Sequence, residues 1–228
     1  MTQTQFDFTA VLASCVHDMK NGLCMMLQAI DTLAARLPNG DAESAEEFAR
    51  LHYEASRLNG DLMHLLALYR SDRHSMPINV EEHYLDDLIE EMVQKNALYL
   101  AMRDLHVERE LPADLAWYFD RDLVMNLLND VLVNAMRYCR QRILIRAGIV
   151  NGQLQLTIAD DGPGYPPSML AQSEAPLDKP ELSSGRTGLG LYFAALIANA
   201  HQKRDQRGRI DLANNGELGG SVFTLTLP

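Results

Sequence analysis

The sequence predicts an α+β protein, a two-helix hairpin followed by a mixed segment of helices and strands. Three observations lead there. The first 75 residues carry apolar side chains at alternating steps of three and four. The residues from 76 onward switch between helix-like and strand-like periods. Between them "SMPINV" contains a proline and starts an extended run. The expected domains are therefore 1–75 and 76–228.

The first helix is read from Val16, after which the apolar positions are Met19, Leu23, Met26, Ile30, Leu33 and Leu37, a heptad seam. "LPNGD" supplies Pro, Asn and Gly as a break. A second seam follows through Phe48, Leu51, Ala55, Leu58, Leu62, Leu65 and Tyr69. The two helices should fold back as an antiparallel hairpin. A lone hairpin leaves a narrow apolar stripe with too little to cover it, so a homodimer forming a four-helix bundle is expected. The seam puts His17 just off the stripe, with Asn21 one turn further along the same outer face. His52 and His64 read as solvated surface, and Cys15 as a small residue on a buried flank.

In the second segment the periodicity predicts helices over 85–103, 122–138 and 189–201. Strands are "RILIRAGIV" and "QLQLTIAD", joined by Asn151-Gly152, a strong hairpin signal, and a closing "SVFTLTLP" in which Phe223, Leu225 and Leu227 alternate. "PPSMLAQSEAPLDKPELSSGR" is polar and reads as an irregular loop.

Three features of this segment bear chemistry, and each has a plain reading beside a functional one. In "LVMNLLNDVLVNAMRYC" the residues Asn126, Asp130, Asn134 and Tyr138 make a polar row at steps of four. That row is either a solvated face or a set of oxygen ligands for Mg²⁺ held together with substrate phosphates. "IADDGPGYP" is either a turn or a place where Asp160, at a strand end, accepts from an exocyclic amine such as that of adenine, with Gly162 and Gly164 letting backbone approach the base. "SSGRTGLGLYFAALIANAH" has Gly185, Gly188 and Gly190 leading into an apolar helix. They are simple flexibility or a phosphate cradle of open N–H groups. Neither the P-loop nor the dinucleotide-binding fingerprint is present.

Composition removes other classes. The 228 residues, 47% hydrophobic and 22% charged, suffice for one large or two modest cores. Acids outnumber Lys plus Arg by 31 to 20, the net charge is −11, and no basic cluster marks a nucleic-acid or anionic-membrane binder. Cys15, Cys24 and Cys139 lack metal-type spacing and suggest a reducing compartment, the cytoplasm. No apolar run approaches the roughly 20 residues that span a bilayer, so direct membrane insertion is not expected.

Taken in order, these motifs resemble the catalytic core of bacterial sensor histidine kinases, a dimerisation and phosphotransfer hairpin followed by an α/β-sandwich ATPase domain of the GHKL (Bergerat) type. "HDMKN" resembles the phosphoacceptor box, "NDVLVNAMRY" the Asn-rich box, "DDGPG" the first glycine box and "GRTGLGL" the second; the likeness runs from about Val11 to Pro228. The resemblance implies ATP and Mg²⁺ as cofactors and autophosphorylation of His17 followed by transfer to an aspartate of a response regulator. It implies that Asp18 orients or deprotonates the imidazole and that Asn21 positions water for dephosphorylating the regulator. It further implies that Asn134 and Asp130 hold the metal, that Arg137 meets the phosphates, and that Tyr138 packs near the nucleotide. Asp160 would read adenine beside Gly162 and Gly164, and Gly185, Thr187, Gly188, Leu189 and Gly190 would lie by the phosphates. A separate sensor protein is a further expected partner. An alternative is a dimeric phosphotransfer or phosphatase adaptor with weak or absent ATPase activity. The chain departs from the family pattern in four ways. Asp130 stands where an asparagine is usual, and Gly22 where a proline often follows. The loop from Gly164 to Gly185 is short, without a phenylalanine-containing box. "HQKRDQRGRI" makes a long link to the next strand.

Overall fold

The computed structural model describes residues 8–34, 36, 42–71, 78–173 and 188–228. The chain divides into two compact units, Met1–Asp72 and Arg73–Pro228.

The first unit is a pair of helices, α1 (Phe8–Ala34) and α2 (Ala42–Ser71), packed on one another. Ile30 on α1 and Ala49, Tyr53, Ala55 and Leu62 on α2 are buried. The rest of the apolar seam is divided. Met19, Met26 and Leu33 follow one another at steps of seven, as do Leu51 and Leu58, and all five are 49–57% exposed. A heptad seam carries two apolar rows, and one neighbouring helix covers only part of it. His52 corrects the sequence reading: it is 6% exposed, with Nε2 3.4 Å from the Asp31 carboxylate. The buried face of α2 is rotated toward Ala49, His52 and Tyr53, which a strict seam does not anticipate. Burial lowers the pKa of His52, and Asp31 opposes that. The side chains of Cys15, His17, His64, Leu65 and Tyr69 lie outside the described residues.

The second unit contains β1 (Glu81–Tyr84), α3 (Leu85–Lys95), α4 (Ala97–Met102), β2 (His106–Glu110), β3 (Ala116–Phe119), α5 (Arg121–Tyr138), β4 (Arg142–Val150) and β5 (Gln153–Asp160). Then come α6 (Pro167–Ser173), α7 (Gly188–Ala200), β6 (Gln202–Lys203), β7 (Gln206–Arg207), β8 (Arg209–Asn214) and β9 (Ser221–Leu227). Five strands form one sheet in the order β2-β4-β5-β9-β8, parallel at β2–β4 and antiparallel elsewhere. Along β5 the side chains alternate, Leu154, Leu156 and Ile158 buried, Gln155 and Thr157 half-buried, as in a sheet covered on one face. The cover is a helical layer in which α5 contacts both α3 and α7. Leu88 and Met92 of α3, Leu128, Leu132 and Met136 of α5, and Phe193 of α7 are almost wholly buried, as are Ile143, Ile145 and Phe223 of the sheet.

Local chemistry explains the elements. Asn151 and Gly152 both have positive φ, 53° and 76°, the requirement of a type I′ turn, so β4 and β5 meet in a tight hairpin with Val150 opposite Gln153. Asp120 caps α5: its carboxylate accepts from the Leu123 N–H at 3.0 Å and the Asn79 N–H at 2.8 Å. The Asp120 N–H donates to His201 Nε2 at 2.9 Å while His201 Nδ1 lies 2.8 Å from the Ile197 carbonyl. The start of α5 is thereby tied to the end of α7. Burial lowers the pKa of His201, against smaller opposing effects of the Ile197 carbonyl and Asp120.

Three expectations need correction. The single helix over 85–103 is two, α3 and α4, interrupted at Asn96. That side chain is buried, and its Nδ2 donates to the Met92 carbonyl at 2.8 Å and to Asn129 Oδ1 at 2.9 Å, competing with the helical ladder. Residues 167–173 of the supposed irregular loop form α6. The long link after His201 folds as the small β6–β7 pair, turning through Arg204 at φ 56°. The parallel edge strand β2, "HVERE", was not anticipated, because every side chain in it except Val107 is polar or charged and exposed.

Candidate functional site

The site is built where β5 ends. Asp160, 3% exposed, stands at the last position of β5. Its Oδ1 accepts from the Gly162 N–H at 2.7 Å and the Ser221 N–H at 3.3 Å, and its Oδ2 accepts from the Ser221 hydroxyl. Three donors hold this carboxylate rigid. Glycines make the approach possible. A Cβ on Gly162 would stand 2.5 Å from the Tyr138 carbonyl oxygen, so the end of α5 presses directly on the loop after Asp160. Gly164 has φ +83°, and its Cβ would meet the Asn214 side chain at 2.7 Å. The Asn214 amide pairs with both backbone groups of Tyr165, accepting at 2.7 Å and donating at 2.9 Å.

Asp161 fastens α5 to this corner. Its Oδ1 accepts from the Arg140 N–H at 2.8 Å and the Gln141 N–H at 3.1 Å. Burial works against its charge, but the backbone donors of Gln141, Arg142 and Arg140 together outweigh that and hold its pKa below the ordinary value. Next to it Cys139 is buried, and burial, then Asp161 and Asp160, push its thiol up to about 11. That thiol stays protonated and unreactive at neutral pH.

On α5 the polar row faces away from the buried side. Asp130 is half-buried; Asn134, Arg137 and Tyr138 are exposed, with the Arg137 guanidinium 5.3 Å from the centre of the Tyr138 ring. Asp130 and Asn134 are one turn apart on one face. Among the described residues no group of three or more His, Cys, Asp or Glu forms a metal cage. Mg²⁺ takes one or two protein oxygens and completes its shell with phosphates and water, and Asp130 and Asn134 are the oxygens this face could offer such an ion. The walled acceptor at Asp160 likewise suits a nucleotide base.

The structure thus brings Asp160, Gly162, Gly164 and Tyr138 together and sets Asp130, Asn134 and Arg137 along the adjoining helix. Gly188, Leu189 and Gly190 open α7, which packs on α5. Gly185 and Thr187 lie outside the described residues. In the first unit Asp18 and Asn21 are exposed on α1, and His17 is within the same helix. Sequence reasoning missed Ser221, Tyr165, Asn214 and Gly220. A Cβ on Gly220 would stand 2.4 Å from the Asp160 carbonyl oxygen and 2.5 Å from the Gly162 nitrogen. The only signal for it is the doubled glycine ahead of the last strand.

Residues 119–228 match the family described as Histidine kinase-, DNA gyrase B-, and HSP90-like ATPase. The chain is 26% identical over 232 residues to "Adaptive-response sensory kinase SasA" of Synechococcus elongatus, covering 96% of this chain and 58% of that protein. It is 34% identical over 134 residues to "Signal transduction histidine-protein kinase BaeS" of Escherichia coli, 56% of this chain and 27% of that protein. It thus spans between about a quarter and three-fifths of these two relatives. The fold is shared with the Acinetobacter baumannii histidine kinase AdeS, at 22% identity and a TM-score of 0.59, over 92% of this chain and 96% of that one. No helix among the described residues is long and apolar enough to cross a membrane. An ATPase domain of this kind implies ATP binding. With that match over residues 119–228 and sensory-kinase relatives along most of its length, the chain is similar to the catalytic core of sensor histidine kinases.

Proposed function

We propose that this chain autophosphorylates His17 with ATP and passes the phosphoryl group to an aspartate of a response regulator. The observation that carries the reading is the Asp160 carboxylate. It is buried, fixed by three donors and walled by Gly162 and Gly220, in a chain that also has His17 next to the exposed Asp18 on α1. ATP with Mg²⁺ supplies the transferable phosphoryl group and neutralises its charge. Asp160 accepts from the exocyclic amine of the base. Asn134 and Asp130 offer oxygens to the metal, and Arg137 offers its cation to the phosphates. Gly188, Leu189 and Gly190, at the start of α7, offer backbone N–H groups to the phosphates, and the resemblance adds Gly185 and Thr187 to that set. His17 forms the new N–P bond as the γ-phosphate's bridging P–O bond breaks, and Asp18 takes the imidazole proton. Asn21, one turn on, orients a water for hydrolysis of the regulator's acyl phosphate.

A homodimer is part of the proposal. The exposed apolar row of Met19, Met26, Leu33, Leu51 and Leu58 fits a second copy of the hairpin in a four-helix bundle. The domain limits are proposed at 1–75 and 76–228, and the location as the cytoplasm, where a receiver domain and, for input, a separate sensor protein would be met. Incubation with γ-labelled ATP and Mg²⁺ tests the reading. Acid-labile, base-stable label on the wild type and none on His17→Ala is the expected result. Absence of label despite ATP binding would move the assignment to a phosphotransfer adaptor.

A further inference from the structure

At the other end of β9 from Asp160 lies a groove that none of the motifs includes. It encloses about 500 Å³, and its walls include Val80, Trp117, Tyr118, Lys203 and Pro228. β9 runs seven residues from Ser221, which bonds Asp160, to Leu227, so the groove is about 20 Å from the nucleotide corner. Trp117 donates its indole N–H to the Pro228 carbonyl at 3.2 Å, which fixes the ring as a wall, and the Lys203 ammonium stands 5.8 Å from the ring centre. Val80 and Tyr118 are 44% and 58% exposed, apolar surface that the described residues leave open.

The rim of this groove is basic. The β6–β7 pair and its flank, "QKRDQRGR", hold Lys203, Arg204, Arg207 and Arg209 against one acid, Asp205, in a chain of net charge −11. Elsewhere in this unit arginines are neutralised by neighbours: Arg109 by Glu90, Arg121 by Glu91, Arg142 by Glu108, and Arg146 by Glu110 and Glu217. Arg209 likewise lies 3.3 Å from Asp211. Among the described residues no carboxylate pairs with Lys203, Arg204 or Arg207, and all three are exposed. Uncompensated cations beside an apolar groove call for an occupant of both characters. We propose that this face docks an acidic protein segment: an apolar side chain of the partner enters the groove against Trp117, Val80 and Tyr118, and carboxylates on either side of it meet Lys203, Arg204 and Arg207. A nucleic acid or an anionic membrane fits less well, because each draws its affinity from many cations and this acidic chain presents three. The distance to Asp160 leaves the nucleotide corner free, so the segment and ADP bind together.

Trp117 is the only tryptophan of the chain, so its emission reports this groove directly. The test titrates the full chain at low salt with a synthetic heptapeptide that has a central Phe-Leu pair flanked by glutamates. The expected result is a saturable change in Trp117 emission, the same with and without ADP, that weakens as salt is raised. Lys203→Glu and Arg207→Glu should each weaken binding roughly three- to tenfold, and Tyr118→Ser by a similar factor. All three should keep wild-type ADP affinity, which shows that the fold is intact. Peptides with lysines in place of the glutamates, or Gly-Ser in place of Phe-Leu, should bind about tenfold more weakly or worse. No saturable change with the acidic peptide overturns the proposal, as does equal binding of the lysine peptide or wild-type binding by the Lys203→Glu/Arg207→Glu double variant. A stronger response to a single-stranded oligonucleotide or to phosphatidylserine vesicles than to the peptide also overturns it and gives the face to a polyanion.

Discussion

Gly220→Ala is the sharpest test of how the Asp160 corner is built. The N–H of Gly220 donates to the Asp160 carbonyl at 3.0 Å, and an added methyl would lie 2.4 Å from that carbonyl, 2.5 Å from the Gly162 nitrogen and 2.6 Å from Asp160 Oδ1. Two of these three are backbone atoms of adjoining segments, so no side-chain rotation relieves the contact. The segment before β9 and the loop after β5 must separate by about 1 Å, and such overpacking costs about 1–3 kcal/mol. The same movement stretches the Gly162 and Ser221 hydrogen bonds to Asp160, each to a charged group and worth about 1.5–3 kcal/mol if lost. With one such bond weakened, Tm should fall by roughly 5–15 °C for a domain of this size, and ADP binding should be lost. Calorimetric melting and ADP titration measure both, with Gly148→Ala as the control, since a Cβ there meets nothing within 4 Å. A Gly220→Ala protein that melts with the wild type and binds ADP equally would refute the view that glycine is needed to bring β9 against Asp160.

Gly22→Ala should stabilise the helical pair by about 0.5–1 kcal/mol, because Gly22 lies inside α1 with open space where its Cβ would be; a urea titration that finds it neutral or harmful would show that this glycine is needed for a bend. The folded-state pKa of His201 lies below its ordinary 6.5, so the fold binds fewer protons than the unfolded chain. The stability from its neutral ring is complete above pH 6.5 and is lost as pH falls below it. His201→Gln should flatten the slope of Tm between about pH 7 and 5 relative to wild type, and an unchanged slope would contradict the assignment. Leu58→Glu puts a charge into the exposed apolar row and should convert a dimer to a monomer in sedimentation, with the helix content kept. A persistent dimer would mean that another surface makes the contact.

What could be read from the chain was local. The heptad steps announce two long helices, Asn151-Gly152 announces a hairpin, and Phe223, Leu225 and Leu227 announce a strand, because each signal depends on neighbours a few residues apart. The polar row on α5 was legible for the same reason. His52 was misjudged because a histidine off the apolar seam gives no local sign that α2 turns that side inward. Asn96 was missed because one of its partners, Asn129, is 33 residues away.

The sequence by itself determined which groups are available: a histidine followed by an acid on a helix, two carboxamides and a carboxylate at steps of four, and an aspartate before two glycines. Only the tertiary structure decided what surrounds that aspartate. Pairing of β5 with β9 brings Ser221 and Gly220 to Asp160 across 61 and 60 residues, and the neighbouring β8 brings Asn214 to Tyr165 across 49. Register in a sheet is set by the whole hydrophobic pattern and its cover of helices, and no short motif contains it. The acceptor was written locally in "DDGPG". Its orientation and its donors come from strands that meet only after the fold has closed.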